Sequence, residues 1–121
     1  MARWVFLVNL ARLLGRAFEL GIPVIVFTFY RSPEDQEKEF LAGRSRVKHG
    51  RHQEWLAVDL AVWTDDDLDG AIDKEELRWK FVEEYKKLGE FWESLGGVWG
   101  GRWSDPCDPY HFEWSENLKA G

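Results

Sequence analysis

Two histidines and two aspartates are spaced in a way that suits a catalytic metal ion. His52 lies seven residues before Asp59, and Asp108 lies three residues before His111 in the segment DPYHFEW. Imidazole nitrogen and carboxylate oxygen are zinc ligands, and three protein ligands leave one tetrahedral position open for water. A nearby fourth group, a carboxylate, could move protons during hydrolysis. The spacing therefore predicts a hydrolytic zinc site made of His52, Asp59 and His111, with Asp108 beside it.

Two further side chains could approach the same metal. His49 lies three residues before His52, and Cys107 directly precedes Asp108. A cysteine would be a soft ligand. We interpret His49 as part of a solvated basic loop and Cys107 as a small, at least partly buried side chain. Isolated His and Asp pairs are also common without a metal, so spacing alone leaves that alternative open.

The negative charge of the chain is concentrated in one segment. The net charge is -6 over 121 residues, and residues 65–76 contain seven acids and one lysine. The other acids and bases balance, so nothing supports nucleic-acid binding through a basic face. A hydrophobic content of 45% predicts a packed core. The one cysteine excludes an internal disulfide, and no apolar run is long enough to span a bilayer.

The acidic segment matches an EF-hand calcium loop position by position. Gly70 stands at the sharp turn and Ile72 at the apolar eighth position. An acidic, solvated helix start would explain Asp73 and Glu76, but not Gly70 and Ile72. We therefore predict that Ca²⁺ binds the loop at 65–76. Its ligands would be Asp65, Asp67, Asp69, the backbone carbonyl of Ala71, Asp73 and Glu76.

Helical and extended patterns alternate along the chain. Apolar residues at helical spacing predict an amphipathic N-terminal helix, and Arg3, Arg12 and Arg16 interrupt it in a way that is unlike a signal peptide. Ser32 followed by Pro33 predicts the start of a second helix. These patterns indicate an α+β fold: a small single domain with a mainly antiparallel sheet flanked by helices. The predicted helices are 3–19, 33–42 and 74–95, and the predicted strands are 22–30, 55–63 and 110–114.

Three segments resemble motifs of the zinc peptidoglycan peptidases. This family contains D-alanyl-D-alanine carboxypeptidases, VanX-like dipeptidases and L-alanyl-D-glutamate endopeptidases. HGRHQEWLAVD resembles the motif SxHxxGxAxD, and FYRSPEDQEKEFLAGR resembles YRSxxxQxxLxxxGR. GGVW followed by DPYHFEW resembles the GGxW and DxPHFE segments of the endopeptidase branch, which is common among phage endolysins. The segments follow the family order and cover residues 23–114.

The resemblance implies a role for each matching residue. His52, Asp59 and His111 would bind zinc, and Asp108 would be the general base and acid. Arg31 would polarise the scissile carbonyl and stabilise the oxyanion, although a surface ion pair with a neighbouring acid is the alternative. The chain departs from the motifs at three places: Gly50 replaces Ser, Trp55 replaces Gly, and Tyr110 replaces Pro.

The resemblance also implies the biological setting. We expect residues 1–121 to form a single zinc peptidase domain that contains the EF-hand-like loop at 65–76. Its substrate would be the peptidoglycan stem peptide, with the L-alanyl-D-glutamate bond as the expected site of cleavage. The rivals are a D-Ala-D-Ala carboxypeptidase or dipeptidase and a non-catalytic, calcium-responsive wall-binding module. We expect a monomer without membrane insertion, made in the cytoplasm without a signal peptide and released by a holin if phage-encoded.

Overall fold

The computed structural model describes residues 1–29, 32–42, 56–64, 76–78, 80, 82–104 and 107–115. Within these ranges the chain forms three α-helices, four β-strands and one short 3-10 helix. In chain order the elements are α1 (Ala2–Glu19), β1 (Val24–Thr28), α2 (Pro33–Leu41), β2 (Ala57–Val62), α3 (Val82–Ser94), β3 (Val98–Trp99), the 3-10 helix (Gly100–Arg102) and β4 (His111–Glu113).

The four strands form one antiparallel sheet with the order β1-β2-β4-β3. The last strand in sequence therefore lies inside the sheet, between β2 and β3. In the β2–β4 pair, Asp59 lies opposite His111 and Val58 lies opposite Phe112. The predicted α+β fold with an antiparallel sheet and flanking helices is confirmed.

Strand alternation gives the two faces of the sheet different tasks. Successive side chains of a strand point to opposite faces, so Val58 and Phe112 share one face while Asp59 and His111 share the other. Val58 and Phe112 are fully buried. The helices pack on their side, because Phe112 contacts Trp92 of α3. The same two strands thus support the hydrophobic core and carry the polar cluster.

The core is centred on Trp92. Its ring makes edge contacts with Phe6 of α1, Phe112 of β4 and Trp114, at centroid distances of 5.8, 6.2 and 5.6 Å. Helix α1 supplies one apolar face to this core. The buried apolar residues of that face recur every three or four positions, as helical geometry requires: Phe6, Leu10, Leu13 and Ala17.

Two predictions from the sequence need correction. The apolar, β-branched composition of residues 22–30 predicts a buried strand, but β1 is an edge strand, and Val26 and Phe27 are about half exposed. The helix predicted from residue 74 begins at Val82 as α3. Before it, Leu77 forms an isolated bridge with Trp63, so strand pairing replaces helix at that residue.

One strand was not predicted, and one helix start was predicted correctly. Val98 and Trp99 form β3, outside the strands predicted from the sequence, because β4 offers them a pairing partner. The predicted cap of α2 is confirmed, since Ser32 Oγ accepts a hydrogen bond from the Asp35 amide at 3.1 Å. Among the described residues, no helix combines the length and apolar character that a membrane span needs.

Candidate metal centre

Asp59 and His111 meet across the β2–β4 pair. They are 52 residues apart in sequence, yet their side chains contact each other, with His111 Nδ1 3.2 Å from Asp59 Oδ1. Two ligand atoms bound about 2.1 Å from one tetrahedral zinc lie about 3.4 Å apart. The observed separation is close to that value. Both side chains are largely buried, with 9% of His111 and 14% of Asp59 exposed.

Asp108 joins this pair from the turn before β4. One ligand atom each of Asp59, Asp108 and His111 lies within 4.8 Å of the others. Backbone hydrogen bonds fix the turn: the Asp108 amide donates to Gly100 O at 3.0 Å, and the His111 amide donates to Asp108 O at 3.2 Å. Trp99 Nε1 donates to Pro109 O at 2.8 Å in the same turn. Asp108 is therefore attached to the sheet through the 3-10 helix.

The charge of His111 depends on its two carboxylate neighbours. Burial lowers the pKa of His111, but hydrogen bonds to Asp59 and Glu113, together with their negative charges, more than offset this effect. The net result raises the pKa of His111 to about 9. At neutral pH the metal-free imidazole is therefore protonated and donates to both carboxylates. A metal ion at Nδ1 would replace the proton on that nitrogen.

Glu113 is a member of the site that the sequence did not predict. Its Oε1 lies 2.8 Å from His111 Nε2, on the side of the ring away from Asp59. The signal was present in the sequence, because residues i and i+2 of a strand share a face. His111 and Glu113 are two residues apart on β4, so the face that carries one must carry the other.

The tryptophans near the site divide into core and site residues. Four tryptophans lie near the site residues in sequence and are candidates for contact with the polar cluster: Trp55, Trp99, Trp103 and Trp114. Trp99 and Trp114 are buried and belong to the core. Trp103 is half-buried, and its ring lies 5.0 Å from the His111 ring, centroid to centroid. Of the candidates within the described residues, Trp103 is the one that contacts the polar cluster.

Several predicted residues lie outside the described residues. They include the predicted zinc ligand His52 and the predicted oxyanion residue Arg31. Of the predicted calcium ligands, only Glu76 is described, and it is buried. Thr28 lies opposite Asp59 in the sheet, three residues before Arg31. The other predicted calcium ligands also lie outside the described residues: Asp65, Asp67, Asp69, Ala71 and Asp73. Cys107 is exposed, not partly buried as expected.

The described donor set suits zinc. It combines one imidazole nitrogen with carboxylate oxygens, the donor types that zinc binds in catalytic sites. A carboxylate on the second ring nitrogen of a ligating histidine is a recurrent feature of such sites, and Glu113 provides it. Three potential ligands therefore lie close together at one face of the sheet.

A family model of peptidase family M15, described as D-alanyl-D-alanine carboxypeptidase, matches residues 43–114, more than half of the chain. The chain belongs to this family of zinc peptidoglycan peptidases. The match includes β2 and β4, the two strands that carry Asp59 and His111. The predicted membership of this family is therefore confirmed. Two of the three resembling segments, residues 49–59 and 96–114, lie within the match, whereas the segment 29–44 precedes it almost entirely.

Two solved structures share the M15 fold seen here. The L-Ala D-Glu endopeptidase ChiX of Serratia marcescens is 23% identical with a TM-score of 0.58, and the match covers 78% of this chain and 68% of ChiX. A point mutant of the vancomycin resistance D,D-pentapeptidase VanY in complex with Zn(II) is 20% identical with a TM-score of 0.56. That match covers 90% of this chain and 70% of VanY. At these identities the likeness shows a common fold.

Proposed function

We propose that this M15 protein is a zinc metallopeptidase that hydrolyses an amide bond in the peptidoglycan stem peptide, with the L-alanyl-D-glutamate bond as its target. The observation that carries the proposal is the convergence of Asp59, Asp108 and His111 on one sheet face. The family match supports peptidase activity. The fold shared with ChiX, named as an L-Ala D-Glu endopeptidase, favours that bond.

In this mechanism each residue has a distinct task. Asp59 and His111, with His52, which precedes β2 in sequence, would hold the metal. Bound Zn²⁺ would supply Lewis-acid chemistry, which activates water and polarises a carbonyl. Asp108 would take the proton from the attacking water and deliver it to the leaving amine. Arg31, which follows β1, would stabilise the negative charge that develops on the carbonyl oxygen.

The role of Asp108 can be separated from that of a metal ligand. Asp108→Asn keeps the size of the side chain but removes the proton acceptor, so we expect kcat to fall about 10²–10⁴-fold while one Zn²⁺ per chain is retained. Elemental analysis and turnover of purified muropeptides would measure both. Glu83→Gln, an exposed change on α3, is the matched control.

Three outcomes of that experiment differ in meaning. Loss of zinc in Asp108→Asn would assign Asp108 to the ligand set in place of a base. Unchanged turnover would contradict its proton-transfer role. A wild-type protein that binds zinc but cleaves no muropeptide would favour the non-catalytic wall-binding alternative.

The scissile bond is a separate question within the same chemistry. The family description favours the alternative of a D-Ala-D-Ala carboxypeptidase or dipeptidase. Mass spectrometry of muropeptide digests distinguishes the two, because an L-alanyl-D-glutamate endopeptidase splits the stem near its sugar end and a carboxypeptidase removes a terminal D-alanine. We expect the first pattern. A role in phage lysis with holin-dependent release, or in cell-wall remodelling, would follow from such an activity.

We also propose that the loop at 65–76 binds Ca²⁺. The positional match of the sequence supports this, as do the residues that flank the loop. The Thr64 amide donates to Glu76 O at 2.9 Å, and Trp63 forms a bridge with Leu77, so the two ends of the loop are adjacent. A loop closed at its base loses less chain entropy when it folds around an ion.

Calcium binding has a matched pair of test variants within the loop. Asp67 occupies the third, ligating position, whereas Asp66 occupies the second, which does not ligate. In zinc-loaded protein, calorimetric titration should show Asp67→Ala weakening Ca²⁺ binding by on the order of tenfold or more. Asp66→Ala should have a much smaller effect. Equal effects of the two substitutions would indicate only a diffuse acidic surface.

A further inference from the structure

The ring nitrogen of His111 that does not face Asp59 has a carboxylate partner of its own. Nε2 is 2.8 Å from Glu113 Oε1, while Nδ1 points toward Asp59 and the rest of the polar cluster. A neutral imidazole carries its proton on one nitrogen, and the hydrogen bond at that nitrogen selects the tautomer. A carboxylate accepts a hydrogen bond and donates none, so Glu113 stabilises the tautomer with the proton on Nε2.

The backbone of Glu113 is held firmly enough for this task. β4 is an interior strand, and Glu113 lies between Ala57 of β2 and Val98 of β3. In addition, Trp92 Nε1 donates to Glu113 O at 3.0 Å. The backbone of Glu113 is therefore fixed within the sheet and hydrogen-bonded to Trp92 at the centre of the core.

Two features show that the contact between Glu113 and His111 is more than a surface ion pair. Glu113 is largely buried, with 19% of its side chain exposed, and within the described part of the chain its ion-pair partner is His111. On another side of the imidazole, the Trp103 ring lies 5.0 Å away, centroid to centroid. The ring of His111 is thus restricted both at Nε2 and along one face.

We propose that Glu113 is a positioning residue of the metal centre, which keeps the proton of His111 on Nε2 and presents Nδ1 to the metal. The inference rests on the proposed zinc site. Partners of this kind orient the ligand and increase its basicity, and their loss typically lowers metal affinity 10–100-fold. Glu113 would act on substrate only through His111.

The first test is spectroscopic and uses the wild-type zinc-loaded protein. Long-range proton–nitrogen NMR correlations of the imidazole should show His111 with its proton on Nε2 and its metal bond at Nδ1. A proton on Nδ1 with the metal at Nε2 would overturn the proposal. This measurement does not depend on whether any variant folds.

The second test measures Zn²⁺ affinity by competition with a chromophoric chelator. Glu113→Ala should bind Zn²⁺ about 10–100-fold more weakly than wild type. Glu113→Gln keeps the shape and an acceptor oxygen without the charge, so its affinity should fall between the two. Glu19→Gln is the control, since it also removes an ion-paired carboxylate, the partner of Arg16 within α1, and α1 carries no residue of the metal centre.

The outcomes separate this inference from the proposed function. If the wild-type protein binds no Zn²⁺, the metal site and the role of Glu113 are both wrong. If wild type binds Zn²⁺ and Glu113→Ala and Glu113→Gln bind it equally well, only the role of Glu113 is wrong. A purely structural ion pair would change the unfolding midpoint of the metal-free variants and leave Zn²⁺ affinity and the NMR tautomer unchanged.

Discussion

At the scale of the residue, protonation of His111 would compete with metal binding at the proposed zinc site. Its pKa is raised to about 9, so at pH 7.5 the metal-free side chain carries a proton on the nitrogen that faces Asp59. Zinc binds a neutral imidazole, so the ion must displace that proton. A proton competes with the metal below the pKa and no longer competes above it.

The consequence is a pH-dependent Zn²⁺ affinity. Between pH 6.5 and 8.5 the apparent affinity should rise about tenfold per pH unit, and it should level off above about 9. Calorimetry in buffers of different ionisation enthalpy should show about one proton released per Zn²⁺ at pH 7.5. His49→Gln, which removes a histidine that we interpret as a bystander, should not change that number. A proton count near zero would contradict the raised pKa.

The residues of the site differ in how far sequence could reveal them. The types and spacing of Asp59, Asp108 and His111 pointed to a metal site before any fold was known. Glu113 was overlooked because a glutamate on a short strand resembles an ordinary exposed residue. Its role depends on which way His111 turns its ring, and that depends on contacts with Asp59 and Trp103 that spacing does not encode.

At the scale of secondary-structure elements, the 3-10 helix at Gly100–Arg102 holds Asp108 in position. Gly100 O accepts the Asp108 amide. A Cβ on Gly100 would collide with the carbonyl oxygen of Asp108 and crowd the Cβ of His111. Position 100 therefore requires glycine, because the turn leaves no space for a side chain.

Gly100→Ala should displace the turn that carries Asp108. We expect a loss of about 1–3 kcal/mol in the free energy of unfolding, as for other over-packed positions, and a clear fall in peptidase turnover. Urea denaturation and muropeptide assays would measure the two effects. Gly15→Ala is the matched control, because Gly15 lies inside α1 and nothing lies within 4 Å of its new Cβ.

That control should move stability in the opposite direction. Alanine is favoured over glycine inside a helix by about 0.5–1 kcal/mol, so Gly15→Ala should stabilise the protein without changing turnover. If both variants behave alike, the close approach of Gly100 to Asp108 is not what the turn requires.

Elements with strong local signals were predictable, and those made by tertiary pairing were not. The apolar spacing of α1, the Ser32 cap of α2 and the β-branched run of β1 are properties of the segments themselves. β3 has two residues and exists because β4 lies beside it. The late start of α3 has the same origin, since Leu77 is paired with Trp63.

Tyr85 connects α3 to the sheet and affects the stability of the whole molecule. The Val62 amide donates to its hydroxyl oxygen at 2.9 Å. Burial raises the pKa of Tyr85 to about 12, although the hydrogen bond from Val62 acts in the opposite direction. The folded pKa exceeds the unfolded value of 10, so the neutral phenol contributes its full stability below pH 10. That contribution is lost as pH rises toward 12.

Tyr85→Phe should remove this alkaline component. At pH 7 we expect a loss of about 1–3 kcal/mol in unfolding free energy, because the buried Val62 amide loses its acceptor. Between pH 10 and 12 the stability of wild type should decline more steeply than that of the variant. Urea denaturation at several pH values measures both. Parallel curves over that range would mean that Tyr85 ionises as readily in the folded chain as in the unfolded one.

The position of β4 inside the sheet has a consequence for synthesis of the protein. Asp59 is synthesised early, whereas its partner His111 follows 52 residues later. His111 lies on β4, which must insert between β2 and β3. A nascent chain that stops before His111 has no complete cluster and leaves one edge of β2 unpaired. Such edges recruit other strands. Premature termination should therefore produce insoluble fragments in place of partially active enzyme.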